Sequence, residues 1–535
     1  MLFRNPANVF IIVVCCCVFK VSISQEVLLE EALQLSEFRR LLSYPISPRG
    51  YDFPNVTGPS SVEARIAILG ADPAGIHMAY KLKKLGFTNV VILETTDHIG
   101  GETLTVHHRG VRHELGIGHF RVENADFLSI IEDFRMGPVQ PLGGFSLWPD
   151  SERPDDILRY LLIDASHRTN ISNPVVTLSL LSDAILRYIS VHRDIFGDYE
   201  GVLMRRPNTN EMLRINGTIQ DFLTSNDFEI LEALFRVLFT AEGYGRLDKT
   251  AALYGLMFVT PKRLFRLIES LVDPTNMGDK YVLERGFSQL WSEIVSKANL
   301  HLRLNQNISF IIRTPDNVNI YYNNTEDTNT METYDFLMIA KDMSKILGIL
   351  DTSWIERQIF SHLTPSFMTS SLIDTNFGKR GPMPRAYYMY NTKSGADHSV
   401  LYHEDSYSIL NNIGGPKYSS GVIPGGHDGE LYQSIVVRQH GDSFPSNEDI
   451  NTGFLNHANL YEITHGLVQA RRTWNFFPRF NPTDVSTGVL WDIFTLQGHK
   501  NTWYLGSSVC FDSLSSVVDY NNLVLQYFKN NVKRS

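Results

Sequence analysis

The sequence contains very little cysteine. There are four cysteines in 535 residues, and three of them, Cys15, Cys16 and Cys17, lie near the amino terminus. If that end is removed as a targeting segment, only Cys510 remains, which excludes an intrachain disulfide. A chain of this size buries a large fraction of its surface, so it can be exported without disulfide bridges.

The chain also lacks blocks of lysine and arginine, and its formal net charge is −10. A protein that follows a nucleic acid backbone needs a basic patch or stripe, so nucleic acid is not an expected partner. Only 20% of the residues are charged, whereas 43% are apolar, which predicts a globular protein. Because single cores stop growing at about 250–300 residues, we expect at least two domains.

No apolar run reaches the roughly 20 residues that cross a bilayer. The first run, residues 9–19, follows Arg4 and precedes the small residues Ser22 and Ser24, which is the pattern of a signal peptide. We therefore expect a protein that is secreted or resides in the lumen of the secretory pathway, without a stable membrane span. Five sequons permit glycosylation there, at Asn55, Asn170, Asn216, Asn307 and Asn323.

The most informative stretch lies between residues 66 and 94. Residues 66–69 predict a strand buried on both faces, and a glycine turn from Gly70 to Gly75 follows it. Pro73 suits the first turn of a helix, and residues 90–93 predict a second buried strand. In such a βαβ unit the helix amides face a diphosphate, and a carboxylate at the position of Glu94 bonds the adenosine ribose. A βαβ crossover without a ligand is the alternative.

These residues resemble the FAD-binding amine-oxidase superfamily. The resemblance begins at GADPAG, Glu94 and the pair Gly100-Gly101, and continues at HELGIGHF, ERGFSQLWSEIV, NISFIIRT and YDFLMIAK. It returns at NTWYLGSSVCFDSLSSVVDYNN near the carboxyl terminus. It implies FAD as the cofactor and an α/β fold, in which a Rossmann-like FAD-binding domain of amine-oxidase type carries an inserted α+β substrate domain.

The resemblance also implies a division of the chain and a set of cofactor-binding residues. The segments are a signal peptide (1–24), a polar leader (25–61), FAD-binding parts (62–129, 281–345 and 471–535) and substrate-domain parts (130–280 and 346–470). The cofactor-binding residues are Gly70, Ala71, Asp72, Ala74, Gly75, Glu94, Gly100, Gly101, Glu102, Ile308, Gly506, Ser507 and Val517.

Three of these positions depart from the family pattern. Asp72 replaces a glycine beside the diphosphate, and Glu102 stands where an arginine or lysine is usual. Two like charges 4 Å apart repel by about 4 kcal/mol near a protein surface, so Asp72 is expected to weaken FAD binding. The Asp72 carboxylate could instead bond a helix amide and turn away from phosphate. Ser507, in place of an acidic residue, is the mildest change.

The segments RRTWNFFPRF and LQGHKNTWYLGSSVCF resemble a branch that includes polyenoic fatty acid isomerases and related flavin oxidoreductases. This implies a secreted FAD-dependent oxidoreductase that takes an apolar small molecule, with a lipid as one candidate, by hydride transfer to flavin N5. Two alternatives stay open: a double-bond isomerase of polyunsaturated fatty acids, and a non-catalytic secreted protein that has lost FAD. The resemblance assigns no catalytic residue and leaves the oligomeric state open.

Two further local patterns bear on the site. Zinc proteases need a second histidine four residues after the first, and Ile117 stands four residues after His113, so no metal site is expected. The tract with Tyr387, Tyr388 and Tyr390 predicts a half-buried strand in the substrate domain. Such aromatic tracts either line an apolar tunnel or pack in the core.

Overall fold

The computed structural model describes residues 37, 40, 58–108, 111–121, 125–137, 139–141, 145–150, 154–197, 206–272, 280–323, 330–376, 385–394, 399–405 and 432–529. Its strands are β1 (Ile66–Leu69), β2 (Val90–Leu93), β3 (Thr105–His108), β4 (Val111–Glu114), β5 (Phe120–Arg121), β6 (Val139–Pro141), β7 (Phe145–Trp148), β8 (Lys280–Leu283), β9 (His301–Arg303), β10 (Ile308–Arg313), β11 (Val318–Tyr322), β12 (Thr330–Tyr334), β13 (Phe336–Ile339), β14 (Phe367–Thr375), β15 (Arg385–Tyr388), β16 (Val400–Asp405), β17 (Tyr432–Gln439), β18 (His465–Asn475) and β19 (Thr502–Tyr504). Its α-helices are α1 (Pro73–Lys84), α2 (Ala125–Asp133), α3 (Ile157–Thr169), α4 (Pro174–Phe196), α5 (Thr209–Arg214), α6 (Ile219–Ser225), α7 (Glu232–Leu238), α8 (Ala252–Phe258), α9 (Pro261–Val272), α10 (Phe287–Lys297), α11 (Met343–Ile346), α12 (Trp354–Phe360), α13 (Met389–Ser394), α14 (Asn447–Leu460), α15 (Pro482–Thr487), α16 (Val489–Thr495) and α17 (Leu514–Phe528).

A five-stranded parallel sheet forms the centre of the nucleotide-binding part, in the order β19-β13-β1-β2-β9. Leu69 at the end of β1 pairs with Leu93 of β2 and with Ile339 of β13. The three strands therefore end at one edge, where ligands bind in open α/β sheets. This is the predicted Rossmann-like arrangement, and β1 and β2 have the predicted bounds.

The substrate part is built on a six-stranded mixed sheet in the order β18-β14-β17-β16-β15-β7, accompanied by helices α3 to α9. The predicted half-buried strand is wrong in detail, because β15 is buried at every position and Tyr390 lies in α13. The reason is that β15 pairs with β16 and β7, while a second apolar cluster that includes Tyr388 covers one face of the sheet.

Helix α4 is, among the described residues, the one helix long and apolar enough to cross a membrane. Charged residues interrupt the apolar sequence of α4, so the sequence contains no uninterrupted apolar run of that length here. Tyr188 in its middle is fully buried and donates a hydrogen bond to the carbonyl of Val259 at 2.6 Å. Twelve of the 23 residues of α4 are buried.

The predicted segment boundaries stay predictions. Strand β8 crosses the predicted boundary between residues 280 and 281. It pairs with β5 and β6, which lie on either side of the predicted boundary between residues 129 and 130. The predicted signal peptide lies outside the described residues, as does Asn55. The other four sequon asparagines are exposed: Asn170, Asn216, Asn307 and Asn323.

Candidate cofactor site

A crevice lies at the carboxyl edge of the five-stranded sheet and encloses a cavity of about 310 Å³. The turns after β1, β2 and β13 form one side, and the approach to α17 forms the other. This is the position at which a parallel sheet binds a dinucleotide, because the helix amino termini point toward it.

Glycines allow the backbone segments around the crevice to approach closely. A Cβ on Gly75 would lie 2.0 Å from the carbonyl oxygen of Gly70, so only glycine lets α1 begin directly against the end of β1. Gly506 has a φ of 80°, and a Cβ there would lie 2.8 Å from the carbonyl oxygen of Ala340. The turn after β19 therefore also depends on glycine.

Asp72 is the amino-terminal cap of α1. Its Oδ1 accepts a hydrogen bond from the Gly75 amide at 2.8 Å, as the alternative reading of this residue predicted. Burial raises the pKa of Asp72 to about 7, although the Gly75 hydrogen bond opposes that shift. The carboxyl group thus occupies one helix amide that a phosphate would otherwise use.

Glu94 is held at the end of β2 by donors from this chain. Its Oε2 accepts from the Ala71 amide at 2.9 Å, and its Oε1 accepts from the Thr96 amide at 2.8 Å and forms an ion pair with Lys341. Burial alone would raise its pKa, but these hydrogen bonds and the Lys341 charge together hold the pKa at about 2. Glu94 is therefore a carboxylate, as ribose binding requires.

The second glycine pair closes the crevice beside Asp72. The Gly100 amide donates to the Ala71 carbonyl at 2.7 Å. A Cβ on Gly101 would lie 2.7 Å from the Cβ of Asp72, so the two segments are already in contact through the Asp72 side chain. The next residue, Glu102, lines the cavity. Burial raises its pKa well above the usual value, and the nearby Asp512 and Asp72 reinforce that shift.

Nine of the thirteen predicted cofactor-binding residues line the cavity: Gly70, Asp72, Ala74, Glu94, Gly101, Glu102, Gly506, Ser507 and Val517. Ala71, Gly75 and Gly100 lie directly behind this lining and hold it through the backbone contacts above. Ile308 begins β10, two residues after Gln306, whose amide donates to the Glu94 carbonyl at 2.8 Å. The cofactor contacts of all thirteen remain predictions.

Sequence reasoning missed several charged residues of the crevice. Lys341 and Asp342 follow β13, Lys345 lies in α11, Arg472 comes from β18, and Asp512 precedes α17. Asp512 accepts a hydrogen bond from the Phe477 amide at 2.6 Å, and burial raises its pKa to about 7. In the sequence, only the pair Lys341-Asp342, directly after a buried strand, indicated that charged residues lie at this edge of the sheet.

Two other sequence interpretations concern cysteine and metal. Cys510 is buried, and burial raises the pKa of its thiol well above the usual value, so it behaves as an apolar filler. The described part of the chain has no group of three histidine, cysteine or acidic side chains placed to hold a metal ion. His113 instead contacts Gln433, with 2.7 Å between its Nε2 and the amide oxygen.

A smaller cavity of about 70 Å³ adjoins the crevice and shares six lining residues with it: Glu102, Ile117, Trp474, Asp512, Ser513 and Leu514. Its walls are mainly aromatic and apolar: Ile117, Phe120, Tyr244, Phe258, Met368, Tyr402, Trp474, Phe476 and Leu514. The ring centroids of Tyr244 and Phe258 are 4.6 Å apart, which makes a continuous aromatic wall.

Comparison with known proteins agrees with this site. A model of the NAD(P)-binding Rossmann-like domain matches residues 68–134. The chain is 21% identical to the polyenoic fatty acid isomerase of Ptilota filicina over 487 residues, which are 86% of this chain and 95% of that protein. The crystal structure of a CLA-producing fatty acid isomerase from P. acnes matches with a TM-score of 0.68 and 20% identity, over 88% and 99% of the two chains. An engineered putrescine oxidase matches with a TM-score of 0.60 and 12% identity, over 87% and 98%.

These matches and the motifs support a flavoprotein of the FAD-binding amine-oxidase superfamily. The predicted fold is confirmed. FAD as the cofactor, and a flavin-dependent oxidoreductase or isomerase, are what the motifs and the matched enzymes together support. The crevice suits FAD in its position, in the Glu94 carboxylate and in the helix amino termini that face it. Asp72 and Glu102, the two acidic departures from the family pattern, both line the crevice, and a negative charge on either would oppose a diphosphate.

Proposed function

We propose that the protein is a flavin-dependent enzyme that acts on an apolar, polyunsaturated chain and isomerises its double bonds. The observation that carries the proposal is the aromatic cavity that adjoins the cofactor crevice. A relative that matches 86% of this chain is a polyenoic fatty acid isomerase, which favours this reaction over simple oxidation. FAD, when bound, supplies an acceptor and donor of hydride.

The side chains of the smaller cavity have three tasks in this proposal. Phe258, Tyr244 and Trp474 provide apolar walls that hold a hydrocarbon chain and keep water away from the reacting carbons. Trp474 is fixed by a hydrogen bond from its indole nitrogen to the Leu115 carbonyl at 2.6 Å. Arg121 lies on the same wall, with its guanidinium 5.5 Å from the centre of the Phe258 ring. A cation there suits the carboxylate end of a fatty acid.

The first prediction concerns Arg121. Arg121→Leu is expected to raise KM for a polyunsaturated fatty acid by about tenfold, because an ion pair with the carboxylate is lost. The methyl ester of the same acid should show no such change, since it carries no charge. Conjugated-diene absorbance and dissolved oxygen, followed together, measure the reaction, and isomerisation requires absorbance to rise without oxygen loss.

Arg214→Leu is the matched control, because Arg214 lies on the surface and pairs with the exposed Asp194. An equal effect of Arg121→Leu on acid and ester would contradict the role of Arg121. Peroxide formation with an amine and no response to any lipid would contradict the proposed reaction. The carboxyl groups of Glu102, Glu242 and Asp512 on the cavity wall make amines the proper comparison substrates.

We also propose that the protein enters the secretory pathway. The support is the sequence of residues 1–24 and the exposure of Asn170, Asn216, Asn307 and Asn323. The second prediction is that protein from a eukaryotic secretory host begins near Gln25 and loses mass on treatment with an N-glycosidase. Intact mass spectrometry measures both. Retention of Met1 would contradict export, and replacing each sequon asparagine by glutamine identifies the occupied sites.

A further inference from the structure

Asp72 lies where the two glycine segments of the crevice meet. It caps α1 through the Gly75 amide and fills the space that the missing side chain of Gly101 leaves. A diphosphate bound at this turn therefore meets the Asp72 carboxyl group at short range.

Glu102 places a second carboxyl group on the opposite wall of the crevice. It lines the cavity, and among the described residues no side chain or amide donates a hydrogen bond to its carboxyl group. Asp342 and Asp512 face the same cavity, but both accept hydrogen bonds: Asp342 from the side-chain amide of Asn475 at 2.7 Å and Asp512 from the backbone amide of Phe477. Glu102 is thus the carboxyl group with most to gain from a proton.

The cations around the crevice do not balance these acids. The carboxyl groups that face it belong to Asp72, Glu94, Glu102, Asp342 and Asp512, and the basic side chains are Lys341, Lys345, Arg472 and His98. Lys341 is already paired with Glu94. A diphosphate adds further negative charge at a distance where each like-charge pair costs about 4 kcal/mol.

We propose that Asp72 and Glu102 are cofactor-binding residues in their protonated form, so that FAD binding takes up protons and each neutral carboxyl group donates a hydrogen bond to a diphosphate oxygen. The two carboxylates accept these protons from the buffer, and no other bond changes. A carboxyl group kept neutral in this way has the donor that an ionised one lacks. Burial beside other acids raises the pKa of Asp72 to about 7 and raises the pKa of Glu102 well above its usual value.

The direction of the pH dependence follows from these pKa values. Below about pH 7 Asp72 already carries its proton, so FAD affinity should change little there. Above that value the proton must be acquired on binding, and affinity should fall as pH rises, by up to about tenfold per pH unit for each proton taken up. The inference rests on FAD binding and is independent of the substrate.

Titration calorimetry of the full chain, freed of bound flavin, measures FAD affinity at pH 6, 7 and 8. Repeating it at pH 8 in two buffers of different ionisation enthalpy counts the protons taken up. We expect uptake of one to two protons at pH 8. Asp72→Asn should bind FAD more tightly than wild type at pH 8 and take up one proton fewer, since asparagine also caps helices. Glu102→Gln should act in the same direction.

Two controls separate this effect from others. Asp194→Asn changes an exposed carboxylate of α4 that does not line the crevice and should leave affinity and proton uptake unchanged. His98→Gln removes the imidazole that faces the cavity, and the pH dependence should persist. If Asp72→Asn fails to fold, Asp72→Ser provides a second capping residue.

FAD affinity that is equal at pH 6 and 8, with no proton uptake, would overturn the inference and leave the cofactor assignment intact. Weaker binding by Asp72→Asn at pH 8 would also overturn it, because an ionised Asp72 would then be favourable. Absence of FAD binding by wild type and both variants at every pH would overturn this inference together with the assignment of FAD as the cofactor. Proton-linked binding without any turnover of lipids would support the inference and contradict only the proposed reaction.

Discussion

Replacing Glu94 with alanine is expected to lower FAD affinity at least a hundredfold, equivalent to about 2.7 kcal/mol. The carboxylate is fixed at the end of β2 with a pKa held at about 2, so it is ionised at every working pH. In a dinucleotide site this group bonds the ribose hydroxyls, and a charged hydrogen bond contributes about 1.5–3 kcal/mol. Flavin fluorescence or calorimetry measures the loss.

Lys341→Met is the matched comparison for Glu94→Ala. It breaks the same ion pair from the other side but leaves the carboxylate, and the ribose can replace the ammonium group as its partner. We therefore expect a much smaller change in affinity. Unaltered FAD binding by Glu94→Ala would show that the crevice does not bind the cofactor at the predicted ribose position.

Glu356→Ala is expected to destabilise the protein by about 3 kcal/mol, because it removes the fully buried carboxylate that pairs with the Arg313 cation and leaves only the partly exposed Asp351 as its acidic partner. Glu356 and Arg313 are both fully buried and share two hydrogen bonds, one of which measures 2.8 Å. Arg313 also bonds Asp351 at 2.6 Å, and the Tyr504 hydroxyl donates to Glu356. Because Tyr504 ends β19, this network ties β10 and α12 to the sheet that forms the crevice.

Denaturant unfolding measures the effect of Glu356→Ala. Asp194→Ala is the control, because it removes one partner of an exposed pair with Arg214, and such pairs contribute about 0–1 kcal/mol. Equal destabilisation by the two variants would contradict the structural role of the buried network.

The nucleotide-binding half of the site could be predicted because its parts are neighbours in sequence. Strand β1, the turn at Gly70, helix α1 and Glu94 follow one another within 30 residues, and each has a local signal: an apolar run, a glycine turn, a proline at the helix start. The hypothesis that Asp72 caps α1 also depended only on local geometry. These features needed no knowledge of tertiary contacts.

The opposite wall of the crevice could not be predicted in the same way. Lys341, Arg472 and Asp512 come from three distant segments, and only the pairing of β19 with β13 and the course of β18 bring them together. Similarly, β15 alternates in sequence like a half-buried strand but is covered on both faces. The sequence does not show which aromatic residues line a cavity. Tyr244 lines the smaller cavity, whereas the buried hydroxyl of Tyr254 accepts a hydrogen bond from the Phe480 amide, and the sequence did not distinguish the two residues.

The most direct test of the FAD assignment is whether the purified full chain holds flavin in the crevice. Protein purified at pH 6 should be yellow, with a flavin absorbance spectrum and close to one FAD released per chain on heat denaturation. It should lose that colour in Glu94→Ala under the same conditions. A wild-type protein that stays colourless after incubation with excess FAD at pH 6 would contradict the FAD assignment. It would favour a secreted protein that keeps the fold without the cofactor.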